Sequence, residues 1–334
     1  MAILVTGAAG FIGFHVARAL LERGDTVLGV DCLTDYYDVS LKRARLAELA
    51  RHDGFRFEEI DLADAARVIT LMREARPSAI VHLAAQAGVR YSLRNPFAYT
   101  RSNVEGFLSL LEGARKLQLM GAPLRHFVYA SSSSVYGERP AERGFREDDP
   151  VDAPVSLYAA TKRADELMAH TYAHLYALPL TGLRFFTVYG PWGRPDMAYF
   201  SFAQKMRAGE TLQLFNHGRN LRDFTYIADI VPQLLKLTDD APRPGARMFN
   251  IGGSQPVDTL TLVAALERAL GVSAKTEPVD AQPGDVSATW ADTTAIEAAY
   301  GPAPHTALQE GVAQFAAWFD VWTGHAAPVR ERVR

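Results

Sequence analysis

The chain has 334 residues, 48% of them hydrophobic and 22% charged, enough to bury a sizeable core in two merged lobes. A formal net charge of -3 with scattered Lys and Arg offers no sustained basic face, which argues against nucleic acid or an anionic membrane surface as a partner. The single cysteine, Cys32, excludes an internal disulfide framework, no Cys and His cluster has zinc-site spacing, so no metal is expected, and no run of about 18 apolar residues predicts a membrane span. After Met1 the chain enters AILVTG without a basic leader, so a cytoplasmic enzyme or binding protein is expected.

Short β-branched runs at AILVT (2–6), TVLGVD (26–31), FRFEEI (55–60), AIVHLA (79–84) and HFVYAS (126–131) alternate with amphipathic stretches such as FHVARALLERG. Strands that are apolar almost throughout suit a parallel sheet covered on both faces, which predicts an α/β, doubly wound (Rossmann) fold. Two stretches of helical period, about 98–119 and about 156–177, should lie on the same side of that sheet. Beyond Gly190 the pattern breaks at PWGRPDM, NHGRNLRD, APRPGA and AQPGD. The reading is a dinucleotide-binding domain over 1–189, its sheet rejoined by parts of 225–255 near MFNIGG, and a smaller C-terminal α/β substrate lobe formed mainly by 190–334.

The first motif with chemistry in it is VTGAAGFIG, where Gly7, Gly10, Phe11, Ile12 and Gly13 join the first strand to the first helix. Missing side chains allow a tight turn and let a pyrophosphate approach backbone amides at a helix N-terminus. The second strand ends in Asp31, whose carboxylate suits the two hydroxyls of an adenosine ribose and repels a 2′-phosphate, favouring NAD over NADP. Asp61 and Leu62 should close the third strand at the adenine edge, and Leu83, Ala84 and Ala85 the fourth, small enough to let a cofactor pass.

In SLYAATKR (156–163), Tyr158 and Lys162 stand four residues apart, on one face of a helix. That spacing is common by chance. The preceding YASSSSVYG (129–137) changes its weight, because a strand ending in hydroxyls places Ser132 where it can hydrogen-bond the oxygen that Tyr158 addresses. Lys162 then sets a positive charge beside a phenolate, and the three together make a proton relay with Tyr158 as base. His82, His126, His170 and His174 lack a convergent motif and read as packed or surface side chains. Tyr36 and Tyr37 read either as a cover over the adenosine end or as packing within their own domain, and Trp290, Trp318 and Trp322 as core or lobe-interface anchors.

GAAGFIG, Asp31, HLAAQAGVR, YASSSSVYG, Tyr158 with Lys162, RFFTVYGPWGRPDMA and RDFTYIADI, in this order, resemble the extended short-chain dehydrogenase/reductase family of nucleotide-sugar enzymes from residue 2 to about 292. Within it, DYYDVSLKRARL (35–46), AGVRYS and GRPDMA are most similar to the UDP-glucuronate 4-epimerases. The resemblance implies NAD as a bound, regenerated cofactor, a UDP-sugar substrate and a homodimer built on the two long helices. It implies catalytic roles for Ser132, with Ser133 as the neighbouring alternative, Tyr158 and Lys162, and puts Asn103 along the site and Phe185 beside the nicotinamide. Thr187 and Arg222 would face the diphosphate, and Gln213 and Phe215 the uracil. Gly88, Val89, Arg90 and Ser92 would lie near the sugar, with Arg194 either clamping a uronate carboxylate or paired with Asp196. One departure from the family pattern is Gln282 before Pro283-Gly284-Asp285, where relatives often carry a second diphosphate arginine, and another is Cys32 in place of asparagine. The implied reaction is inversion at carbon 4 through a transient 4-keto sugar. The alternatives are a UDP-glucose 4-epimerase, a UDP-glucuronate decarboxylase or a non-catalytic NAD-binding sensor.

Overall fold

The computed structural model describes residues 2–139, 142–281 and 286–325; Gln282 to Asp285 lie outside them. Six strands come first: β1 (Ile3–Thr6), β2 (Val27–Asp31), β3 (Phe55–Glu59), β4 (Ala79–His82), β5 (His126–Ser132) and β6 (Pro179–Phe185). The smaller lobe adds β7 (Thr187–Tyr189), β8 (Thr211–Phe215) and β9 (Leu221–Tyr226); β10 (Gly245–Ile251) returns to the main sheet, followed by β11 (Pro256–Asp258), β12 (Lys275–Val279) and β13 (Ala288–Thr289). The main sheet has seven parallel strands in the order β10-β6-β5-β4-β1-β2-β3, so the strand order reverses between β1 and β4. A crevice opens at such a reversal, beyond the carboxyl ends of the strands.

Helices α1 (Phe11–Glu22), α2 (Val39–Leu49) and α3 (Ala65–Ala75) are followed by a continuous helical run: α4 (Pro96–Tyr99), a π segment (Thr100–Glu105) and α5 (Gly106–Leu119). Then come α6 (Leu157–Tyr176), α7 (Ala198–Ala208), α8 (Ile227–Asp239), α9 (Thr259–Leu270), α10 (Thr294–Tyr300) and α11 (Leu308–Thr323). Alternation along the strands divides the core. Ile3, Val5, Val81 and Val128 pack with α1, α2 and α8 on one face. Leu4, Ile80, Phe127 and Tyr129 pack with Val68 and Met72 of α3, with α5, and with Ala169 and Ala173 of α6 on the other. The helices over 98–119 and 156–177 therefore share a side, as their sequence predicts, and MFNIGG does rejoin the sheet through β10. Each large aliphatic side chain sealed in these layers contributes about 1.5–3 kcal/mol.

Two strand ends differ from the sequence reading. The third strand stops at Glu59, before Asp61 and Leu62, and the fourth at His82, before Leu83, Ala84 and Ala85. The fourth ends early because Leu83 N still donates to Thr6 O at 3.2 Å, whereas Ala84 N turns onto the Thr6 hydroxyl at 3.3 Å. The helix over 98–119 is also interrupted by its π segment, which inserts an extra residue into one turn, a feature frequent at functional sites. No helix is long and apolar enough to cross a membrane among the described residues.

Candidate active site

The crevice floor is the turn from β1 into α1. Gly7 has φ +69°, and a Cβ there would lie 2.7 Å from Ala84 N; a Cβ on Gly13 would lie 2.0 Å from Gly7 O. Both positions therefore require glycine for the chain to pass this close to itself. Gly10 caps α1 without any side-chain hydrogen bond, leaving the amides at Phe11 and Ile12 to an external acceptor. These uncapped amides fit a dinucleotide pyrophosphate.

Asp31 is buried at the end of β2, its Oδ1 accepting from Leu33 N at 2.9 Å, with Lys42 Nζ 3.7 Å away. Asp61 Oδ1 accepts from Ala63 N, while its Oδ2 accepts two bonds from Arg101 at 3.0 and 2.8 Å. Across the reversal, Asn103 is fully buried. Its Oδ1 accepts from Gln86 N at 2.8 Å, and its Nδ2 donates to Gln86 O and, at 3.0 Å, to Thr161 Oγ1. The π segment turns this amide inward, fastening the loop after β4 to the helix that carries Lys162.

Ser132 ends β5, in register with Phe185 of β6. Its Oγ accepts from Ser134 N at 3.2 Å and from Ser134 Oγ at 2.9 Å. Ser131 points the other way, donating to Glu166 at 2.6 Å, which leaves Ser132 on the opposite face of β5, and Ser133 opens the 3-10 turn that follows. Ser156 caps α6 by accepting from Ala159 N, so Tyr158 sits in the first turn, its ring 6.1 Å from that of Tyr99. Lys162, 1% exposed, donates to Ala130 O at 2.9 Å and to Asp165 Oδ2 at 3.1 Å.

The sugar end is built by loops. Arg194 makes a bidentate pair with Asp196, Nε to Oδ1 3.0 Å and Nη2 to Oδ2 2.5 Å, and its side chain keeps 23% exposure. Burial opposes its charge, but Asp196, Tyr158 and Tyr36 together raise its pKa, which puts the guanidinium within electrostatic reach of Tyr158. Burial likewise opposes ionisation of Asp196, and Arg194 overcomes it, lowering the carboxyl pKa. Tyr36 donates to Asp196 at 3.1 Å, and its ring lies 4.7 Å from Tyr91. Burial and then Asp196 push Tyr36 up to about 12. Tyr36 therefore packs against the loops that carry Asp196 and Tyr91.

Gly88, at φ +99°, leaves room for the Tyr36 hydroxyl, and Ser92 Oγ donates to Val89 O at 2.6 Å. Arg90 lies over the Phe215 ring at 4.5 Å, linking this loop to β8, where alternation leaves Gln213 and Phe215 on the face opposite buried Leu212 and Leu214. Thr187 opens β7, and Arg222 on β9 donates to Leu221 O and Val286 O. Among the residues singled out in the sequence, Gly7 lies against Leu83 and Ala84, Ser132 stands beside Phe185, and Arg90 lies over Phe215.

Sequence reasoning missed three participants. Arg45 of α2, wholly buried, sends Nη1 to Ala9 O (2.8 Å) and Tyr37 OH (2.8 Å), Nε to Trp192 O (3.1 Å), and Nη2 to Trp192 O (2.6 Å) and Gly193 O (3.0 Å). His15 adds a bond from Nε2 to Pro191 O at 2.9 Å; burial lowers its pKa to about 3, so the neutral ring donates. Together they tie the glycine turn to the loop that carries Arg194. The third is Asp165 beneath Lys162. No group of three or more His, Cys, Asp or Glu arranged to hold a metal occurs among the described residues.

The chain is similar along its length to a probable UDP-glucuronate 4-epimerase of Rhizobium meliloti (strain 1021), with 45% identity over 96% of this chain and 97% of the relative. It is similar also to UDP-glucuronate 4-epimerase 3 of Arabidopsis thaliana, with 48% identity over 95% of this chain and 76% of the relative. Among solved structures, the UDP-glucuronic acid 4-epimerase from Bacillus cereus in complex with UDP-glucuronic acid and NAD superposes with a TM-score of 0.89 at 31% identity, covering 96% of this chain and 100% of that one. Residues 3–252 match the NAD dependent epimerase/dehydratase family, and the chain belongs to it.

Proposed function

We propose that the protein interconverts UDP-glucuronate and UDP-galacturonate by inverting carbon 4. The observation that carries this reading is Arg194, a partly exposed guanidinium paired with Asp196 and joined toward Tyr158 through the contacts of Tyr36, Tyr91 and Tyr99, where it can meet a sugar carboxylate. Neither a UDP-glucose 4-epimerase nor a non-catalytic sensor needs such a group.

NAD, when bound, accepts hydride from carbon 4 and returns it to the opposite face, through a transient 4-keto sugar. Tyr158 takes the proton of the 4-hydroxyl and later gives it back, with Lys162 stabilising the phenolate and Ser132, or its neighbour Ser133, donating to the same oxygen. The turns at Gly7, Gly10, Phe11, Ile12 and Gly13 hold the pyrophosphate, and Asp31 the ribose. Asp61, Leu62, Leu83, Ala84, Ala85, Asn103 and Phe185 form the remaining cofactor wall. Gln213, Phe215, Arg222 and Thr187 hold the UDP end, so the sugar can turn over while its anchor stays fixed. A 4-keto uronate is a β-keto acid prone to losing carbon dioxide, and Arg194, with Gly88, Val89, Arg90 and Ser92, restrains its carboxylate against that loss.

The division at residue 189 into a cofactor domain and a substrate lobe follows this assignment. Leu108 and Leu119 on α5 and Leu167 and Leu175 on α6 are exposed, which supports a homodimer through these helices, and the cytoplasm is the proposed location. Incubating the purified protein with UDP-glucuronate and no added NAD, then separating the nucleotide sugars, tests the reading. UDP-galacturonate with little pentose is expected. UDP-xylose with carbon dioxide would make the protein a decarboxylase, and turnover of UDP-glucose alone would remove the role of Arg194.

A further inference from the structure

Lys162 does not face Tyr158 as an isolated cation. Its ammonium is fixed from below by Ala130 O at 2.9 Å and by Asp165 Oδ2 at 3.1 Å, and both members of that ion pair are 1% exposed. Asp165 Oδ1 has no hydrogen-bond partner, unusual for a buried carboxylate and a sign that Lys162 is the main reason this carboxylate can exist there. A buried pair is nearly neutral when seen from a third group nearby, so the phenol does not receive the full charge of the lysine.

The other groups around this pair and Tyr158 are neutral or already paired; Arg194, which also interacts with Tyr158, is paired with Asp196. On α6, Glu166 is the only other carboxylate acting on Asp165, and it is occupied by Arg184 at 2.9 Å, Arg163 at 3.0 Å and Ser131. On β5, Tyr129 is buried and pushed well above the ordinary phenol range, chiefly by burial and then by Glu166 and Asp165. On β4, His82 is held neutral by burial and by Lys162. Tyr91 and Tyr99 stand on the facing turns, Glu112 of α5 is engaged by Arg115 and Tyr172, and Arg247 of β10 by Asp240.

We propose that Asp165 is a positioning residue that holds the Lys162 ammonium at the foot of the site and mutes the charge it presents to Tyr158. This inference rests on the reading of Tyr158 as the base. Burial, opposed by Lys162, raises the Asp165 carboxyl to about 6. The muting is therefore absent in acid and established as the pH rises through about 6.

The test is Asp165→Asn, which keeps the shape and one acceptor for Lys162 but removes the charge. The acid limb of the kcat/KM profile with UDP-glucuronate should move to lower pH by about one unit, because the lysine now acts on Tyr158 unopposed. A limb that stays in place or moves to higher pH overturns the proposal. Asp165→Glu should return the limb toward the parent position, which a merely structural role does not require. A titration that needs no sugar separates this claim from the substrate reading: tyrosinate absorbance of the NAD-loaded protein minus that of its Tyr158→Phe variant, with and without Asp165→Asn. A downward shift there supports the proposal even if UDP-glucuronate is not turned over, and no shift sinks it. Should Asp165→Asn not fold, Asp165→Ser gives the same readout. If neither neutral variant folds while Asp165→Glu does, the carboxylate serves folding rather than the base, and the proposal fails.

Discussion

Replacing Arg45 with Met tests whether the glycine turn and the sugar-end loop are one mechanical unit. The guanidinium makes five hydrogen bonds while fully buried, and its partners are the neutral oxygens of Ala9, Trp192, Gly193 and Tyr37. Methionine fills much of the volume but donates nothing, leaving three backbone carbonyls without this donor at about 1–3 kcal/mol each. Removing the cation also relieves its own desolvation, which offsets part of that loss, so a net destabilisation of about 3 kcal/mol is expected. Urea denaturation of both proteins, monitored by Trp fluorescence, measures it; Trp192, tilted against Trp318 and Trp322, reports from the affected loop. KM for UDP-glucuronate should rise alongside, because two of the freed carbonyls, those of Trp192 and Gly193, immediately precede Arg194. A loss below about 1 kcal/mol with unchanged KM would refute the reasoning, since a buried charged donor with five partners cannot be removed so cheaply if the loop depends on it.

Tyr158→Phe should lower kcat by about 10²–10⁴-fold in steady-state assays while leaving NAD binding intact, as expected for loss of a general acid-base group. Arg194→Ala should raise KM for UDP-glucuronate and increase the share of carbon dioxide released, measured with substrate labelled in its carboxylate; unchanged kinetics would remove Arg194 from the site. Acid lability should come from three buried histidines. Burial lowers His15 to about 3 and His126 to about 4, and burial with Lys162 lowers His82, whereas the unfolded chain takes up these protons near its ordinary value of about 6.5. At these histidines the unfolded state therefore binds more protons below that value: their contribution is complete above it and is lost as the pH drops toward 4, by up to about 4 kcal/mol per pH unit when all three differ, offset by about 1.4 from Asp165, whose carboxyl folding raises to about 6. In His15→Gln, urea titrations between pH 6.5 and 4.5 should show a slope smaller by up to about 1.4 kcal/mol per pH unit.

What the sequence disclosed and what it hid follow from the range of the interactions. The glycine turn, the hydroxyl run ending at Ser132 and the Tyr158 to Lys162 spacing are local, so their chemistry is written in consecutive residues. The parallel order of the strands was equally legible, because apolar runs and short connections allow few other arrangements. Arg45 was invisible because its partners at Trp192 and Gly193 lie 147 and 148 residues away, and an arginine in an amphipathic helix reads as surface. Asp165 was hidden in the same manner, one carboxylate in a helix of charged residues, until packing sealed it against Lys162. The π segment leaves no compositional signal, yet it is what turns Asn103 inward. The pairing of Arg194 with Asp196 was one of two readings open in the sequence, and the two are compatible: the bridge orients a guanidinium that still keeps exposed edge for a substrate carboxylate.

The account depends most on a hydride that leaves carbon 4 and comes back to the same atom without exchanging with water. UDP-glucuronate carrying deuterium at carbon 4, incubated with the protein and no added NAD in ordinary water, should yield UDP-galacturonate that retains the label at carbon 4. Product in which that label has been washed out, or unlabelled substrate that gains solvent deuterium there, would contradict the account.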